Sequence, residues 1–174
     1  WEHTLFVSEK TGAVEMAMDP SDGSILYAAT WQAVSGTADE GGPESRIYKS
    51  TDAGRTWTML ENGLPGGSLG RIGLDVAPSN PNVVYAFVDN RNPPPPTEQP
   101  AAGRGGRGGR GGRGGRGRPR EIVGGEIYRS DDKGESWYKA NVDDTYPFFG
   151  VYGWKFTDIR VSPESEDEIF ALGN

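Results

Sequence analysis

Two segments of the chain carry one pattern: Ile47-Tyr-Lys-Ser-Thr-Asp-Ala-Gly-Arg-Thr-Trp57 and Ile127-Tyr-Arg-Ser-Asp-Asp-Lys-Gly-Glu-Ser-Trp137. An internal repeat constrains a fold strongly, because each copy must build the same unit and bury its faces on its neighbours. Both copies predict two strands around a turn at Asp-x-Gly. A second pattern occurs three times, in Pro20-Ser-Asp-Gly-Ser-Ile-Leu-Tyr27, Pro78-Ser-Asn-Pro-Asn-Val-Val-Tyr85 and Pro163-Glu-Ser-Glu-Asp-Glu-Ile-Phe170. Each copy follows an alternating run, at Val14–Met18, Ile72–Val76 and Thr157–Val161. Alternation closed by a short polar turn predicts a β-hairpin.

The spacings join the two patterns into one unit. Tyr27 and Tyr48 are 21 residues apart, whereas Tyr85 and Tyr128 are 43 apart. The excess falls on residues 91–124, which hold 11 Gly, 6 Pro and 8 Arg against two acids, Glu98 and Glu121. A stretch so poor in apolar residues has nothing to bury and is expected to be disordered. The unit is therefore four antiparallel strands, A to D, with an Arg/Gly-rich insertion in one B–C loop.

The segments Ser50-x-Asp52-x-Gly54-x-Thr56-Trp57 and Ser130-x-Asp132-x-Gly134-x-Ser136-Trp137 resemble the Asp-box, or BNR repeat. The chain is thus similar to the β-propellers that carry it: sialidases, xyloglucanases, sortilin-type receptors and, above all, large bacterial proteins with sortilin-like repeats. The resemblance covers all of the chain except the insertion. It implies an all-β fold, a partial β-propeller of about two and three-quarter four-stranded blades. Residues 1–7 would be the last strand of a preceding blade, 12–60 one blade, 70–140 a blade holding the insert 91–124, and 155–172 the first two strands of a further blade. Since a propeller typically needs four to eight blades to close, the chain reads as an excerpt whose partners are the remaining blades. The resemblance also implies an extracellular or periplasmic protein.

The motif has a physical reading of its own. Gly54 and Gly134 permit a positive φ in a tight turn. Asp52 and Asp132 can accept from amides of their own turn, and Ser50 and Ser130 can add a hydroxyl. Trp57 and Trp137 would bury a ring between blades. A calcium loop would need a ligand series and a bidentate Glu that are missing here, so the motif is read as structural, and neither a metal nor a cofactor is expected.

Composition narrows the function. Cys is absent, which excludes disulfides and thiolate chemistry. The single His, His3, makes a His-based triad or a multi-His metal site improbable. No apolar run is long enough to span a membrane. The net charge is −7, yet residues 91–124 carry +6 and the remainder −13. An acidic body with one basic loop is not a general nucleic-acid binder, although the Arg/Gly tract at 103–120 could hold a polyanion weakly.

Loops alternate ends in such a unit. The B–C loops and D–A links share one end, and the A–B and C–D turns share the other. Long loops carry function more often than tight turns. The long-loop end holds Trp31 and the aromatic run Tyr146, Phe148, Phe149, Tyr152, Trp154 and Phe156, which suit a glycan or a peptide or else pack between blades. It also holds the carboxylates Asp39, Glu40, Glu44, Asp143 and Asp144. Glycoside hydrolysis needs two carboxyl groups about 5–10 Å apart, and spacing along the chain cannot pair them. Sialidases need an Arg cluster, whereas Arg46, Arg71 and Arg160 are scattered. Two functions follow: a propeller segment binding peptide or glycan on its loop face, or part of a secreted glycoside hydrolase. One propeller serves many chemistries, and the catalytic residues are not identified by sequence.

Overall fold

The computed structural model describes residues 2–32, 41–95, 122–141 and 157–172. The alternating runs become strands, as their period of two demands. Strands β1 (Thr11–Met18), β2 (Leu26–Gln32), β3 (Ile47–Ser50) and β4 (Thr58–Leu60) form one antiparallel sheet in sequence order. Strands β5 (Leu69–Val76), β6 (Val84–Asn90), β7 (Gly124–Ser130) and β8 (Tyr138–Lys139) form a second. Strands β9 (Asp158–Val161) and β10 (Ile169–Leu172) make a hairpin. No helix occurs among the described residues, and none there is long and apolar enough to cross a membrane.

The second sheet is the centre of the packing. The first sheet lies against β5 through β1 and β2, and β9 lies against β5 and β6 on the other side. Every residue of β6 is buried as a result. Its alternate side chains enter two cores. Val84, Ala86 and Val88 pack with Ala17, Tyr27, Ala29, Ile47 and Leu60 of the first sheet, together with Trp137. Tyr85 and Phe87 pack with Ile127, Ile159 and Val161. Burial of both faces explains why this strand lacks the polar alternation of a half-exposed one.

The outer faces differ. Met16, Met18 and Met59 of the first sheet are exposed, as are Phe170 and Leu172 of the hairpin. Residues 2–7, expected as the last strand of a preceding blade, form no strand. A strand requires a hydrogen-bonded neighbour, and the described residues offer only the isolated bridge Ser8↔Thr11.

The two ends separate as antiparallel topology requires. At one end the motif turn docks on the A–B turn of its own sheet. Ala53 N donates to Ser24 O at 2.9 Å, and Lys133 N donates to Asn82 O at 2.8 Å. At the other end, Gly42 and Leu69 exchange backbone bonds at 2.9 and 3.2 Å, and Arg91 N donates to Ser68 O at 3.1 Å. The Arg/Gly-rich insertion leaves and re-enters the sheet at this second end, where Asn90 pairs with Gly124.

Candidate functional site

The two repeated motifs form the same closed turn. Ser50 Oγ donates to Asp52 Oδ1 at 2.8 Å and accepts from Gly54 N at 2.9 Å. Thr56 gives its amide to Asp52 Oδ1 and its hydroxyl to Oδ2, at 2.8 and 2.6 Å. Ser130, Asp132, Gly134 and Ser136 repeat these bonds. The hydroxyl and amide of Thr56 hold the Asp52 carboxyl down to about 2. The hydroxyl of Ser136 likewise lowers that of Asp132. Both oxygens of each Asp are therefore occupied by donors of the turn itself. Gly54 and Gly134 have φ of 81° and 85°, and the residues before them, Ala53 and Lys133, are also left-handed at 60° and 58°. Only the glycines were legible as needing this conformation. Trp137 is buried in the core between the two sheets, whereas Trp57 is half-buried and donates to Gly54 O at 3.1 Å and to Thr4 Oγ1 at 3.3 Å.

The long-loop end carries the other polar groups. Trp31 closes β2, and Arg71 of β5 lies over its ring, 5.9 Å from the centroid. The indole Nε1 is buried, with no acceptor among the described residues. Glu44, one of the expected acids, accepts from the hydroxyls of Ser8 and Thr11 at 2.6 and 2.5 Å, and these bonds lower its pKa. Arg46 donates to the carbonyls of Ser45 and Gly67 at 2.7 and 3.0 Å. Arg160 lies 2.6 Å from Asp158. The three arginines thus have separate partners. Tyr146, Phe148, Phe149, Tyr152, Trp154, Phe156, Asp39, Glu40, Asp143, Asp144 and the tract 103–120 lie outside the described residues.

Two buried acids were missed by sequence reasoning. Asp89, near the end of β6, is fully buried. Its Oδ2 lies 2.8 Å from Arg91 Nε, while Oδ1 has no partner. Burial raises its pKa, against the opposing pull of Arg91. Glu126 of β7 accepts from Asn90 Nδ2 at 2.7 Å, Tyr128 OH at 2.9 Å and Lys139 Nζ at 2.9 Å. The available signal was position: Asp89 and Asn90 follow directly on the apolar run Val83–Val88 at the loop end of a strand. Chemically, Asp89 is a buried carboxylate whose pKa is raised by desolvation while Arg91 holds one of its oxygens, and Trp31 is a half-buried indole stacked on Arg71.

No family model matches the chain. A dispase autolysis-inducing protein of Streptomyces mobaraensis is 32% identical over 78 residues, covering 44% of this chain and 21% of that protein. The fold is similar to that of the GH74 xyloglucanase from Xanthomonas campestris, with a TM-score of 0.55, 15% identity and coverage of 98% of this chain and 20% of that one. A GH74 enzyme of Niastella koreensis aligns over 88% of this chain and 17% of its own, with a TM-score of 0.46 and 18% identity. The chain thus spans about a fifth of the length of each. At such identities the structural likeness defines architecture: an all-β chain of four-stranded antiparallel sheets, arranged as a fragment of a propeller.

Proposed function

We propose that this chain is a segment of an exported Asp-box β-propeller, completed by further blades, and that its long-loop face binds a glycan or an extended peptide without transforming it. The observation that carries this reading is Trp31. A half-buried indole near the loop end of β2, backed by Arg71, provides an aromatic surface for stacking. The repeated motif turns support the propeller part, since their bonds are satisfied internally and leave them a structural role. In the protein containing this segment, Trp31→Ala is expected to weaken binding of xyloglucan oligosaccharides or of peptide at least tenfold with Tm held. Unchanged affinity for every ligand that the wild type binds would refute the loop-face site.

A second reading, part of a secreted glycoside hydrolase, is supported by the likeness of the fold to the GH74 xyloglucanase of Xanthomonas campestris. Hydrolysis of xyloglucan by the protein containing this segment would favour it, and binding of xyloglucan without hydrolysis would exclude it.

A further inference from the structure

The end of the molecule opposite the long loops contains a cleft of about 250 Å³, lined by Lys49, Thr51, Thr56, Thr58, Leu60 and Glu135. It lies where strand β4 of the first sheet meets the motif turn of the second. Asn62 ties the two together, accepting from Trp137 N at 3.0 Å and donating to Glu135 O at 3.1 Å.

The second sheet shows what ordinarily fills this position. Arg129 is the repeat counterpart of Lys49, Asp131 of Thr51, and Tyr138 of Thr58. Arg129 is held by several partners: its Nε donates to Asp131 at 2.7 Å and its Nη1 to Tyr85 OH at 2.9 Å, it pairs with Asp167, and it lies over the Tyr85 ring. Tyr138 OH closes the group by donating to Asp131 at 3.0 Å. In the first sheet Lys49 has fewer donors than Arg129, Thr58 is smaller than Tyr138, and Thr51 lacks the charge of Asp131. Lys49 keeps one protein partner, Glu135 Oε1 at 2.6 Å, although its side chain is only 10% exposed. An ammonium has three donors, so two protons of a nearly buried group have no protein acceptor. Glu135 is 70% exposed and Lys49 lines the cleft, so those protons are directed to solvent or to whatever occupies the cleft.

We propose that this cleft is a binding site for a neutral polyhydroxylated ligand, a single sugar ring. The lining selects the class. Lys49 and Glu135 cancel in charge, so a simple anion meets Glu135 and a simple cation meets Lys49. A pair of adjacent hydroxyls does what neither ion can, accepting from the ammonium while donating to the carboxylate. Thr51 and Thr58 add hydroxyls, and Leu60 offers an apolar patch to ring C–H groups. The volume falls below the roughly 300–1,000 Å³ of sites for larger ligands, which limits the occupant to one ring.

The test titrates the full chain with methyl β-D-glucopyranoside and methyl β-D-xylopyranoside, with inorganic sulfate as the charged probe, by saturation-transfer NMR. Saturable glycoside binding in the millimolar range is expected, with none for sulfate. Thr58→Tyr, which installs the residue of the second sheet, and Lys49→Met should each weaken it at least about tenfold with Tm unchanged. Should one variant fail to fold, the other decides. Trp31→Ala, at the opposite end, should leave this binding intact, so failure of the loop-face reading is separable from failure here. Absence of saturable glycoside binding, preference for sulfate, or full affinity in a folded Thr58→Tyr or Lys49→Met protein would overturn the proposal.

Discussion

Lys133 Nζ lies 2.8 Å from Oδ2 of Asp19, a fully buried carboxylate, and the pair fastens the motif turn of the second sheet to the A–B turn of the first. Asp19 also accepts from the amide and hydroxyl of Ser21, at 2.8 and 2.6 Å. The carbonyl of Lys133 completes the joint by accepting from Tyr27 OH at 2.9 Å. Burial alone would raise the Asp19 pKa. The bonds from Lys133 and Ser21 outweigh it and bring the carboxyl down to about 2.

Lys133→Met should cost about 2 kcal/mol. This is below the 3–5 kcal/mol typical of breaking a buried pair, because Ser21 remains and Lys133 is partly solvated. The sign with pH follows from the depressed pKa. The contribution is fully present above the unfolded-state value near ~4 and is lost as pH falls through about 2. Urea unfolding at pH 6 and pH 2 should show the gap between wild type and variant closing in acid. A gap independent of pH would mean that the carboxylate is not the partner that matters.

Gly63, on the link between the first and second sheets, has φ of 84°, and a Cβ there would come within 1.9 Å of the Trp137 carbonyl oxygen. Backbone cannot yield as a flexible side chain can. Gly63→Ala is expected to destabilise by at least about 2 kcal/mol, whereas Gly66→Ala, with open space around it, should stay within about 0.5 kcal/mol. Paired thermal melts check this. Equal effects at both positions would place the link away from Trp137.

The four-strand order was legible because it needs only local information: alternation, a turn and a repeat. The register of Val84 against Ser130 follows from the same spacing. The joints between sheets were not legible. Asp19 and Lys133 are 114 positions apart, and each taken alone reads as an ordinary turn residue. Asp89 was hidden for a different reason. A strand covered on both faces shows no alternation, so a polar residue at its end resembles the start of a loop. Trp31 could be placed on the loop face from topology, but its pairing with Arg71 depends on how one sheet meets the next. Ala53 and Lys133 show a further limit, since nothing in their side chains demands a left-handed backbone; the neighbouring turn bonds hold them there.

Ser130 should matter more than its size suggests. Its hydroxyl oxygen is the acceptor for the buried Gly134 amide at 2.8 Å, and it donates to Asp132 at 2.7 Å. Ser130→Ala strands that amide, at about 1–3 kcal/mol. Hydrogen exchange at Gly134 should accelerate in step with the loss of stability. Unaltered protection would show that the turn is held by other bonds.

Deleting residues 97–120 should leave the second sheet intact. The insertion departs and returns at adjacent positions, where Val123 N donates to Asn92 O at 2.9 Å and Asn90 pairs with Gly124. Loop length enters stability only logarithmically, so a Tm within a few degrees of wild type is expected. A cooperative loss of structure on deletion would show that the inserted residues contribute to packing.

The outer faces give the last prediction. Tyr27 and Tyr85, at equivalent positions of β2 and β6, are 0% and 4% exposed, each with its hydroxyl bonded to the next unit at 2.9 Å. Phe170 holds the same repeat position in β10 and is 56% exposed. At the opposite extreme of the stack, Met16 and Met18 are exposed on the far face of the first sheet. Apolar faces of this kind, and sheet edges with no partner among the described residues, promote association. The 174-residue chain on its own is therefore expected to self-associate, and more so at moderate than at low salt, because its net charge of −7 repels only until it is screened. Met18→Lys with Phe170→Lys should lower the apparent mass in light scattering, while changing the unfolding free energy by no more than about 1 kcal/mol in all, as surface substitutions do. A compact wild-type monomer at both salt concentrations would show that these faces need no cover.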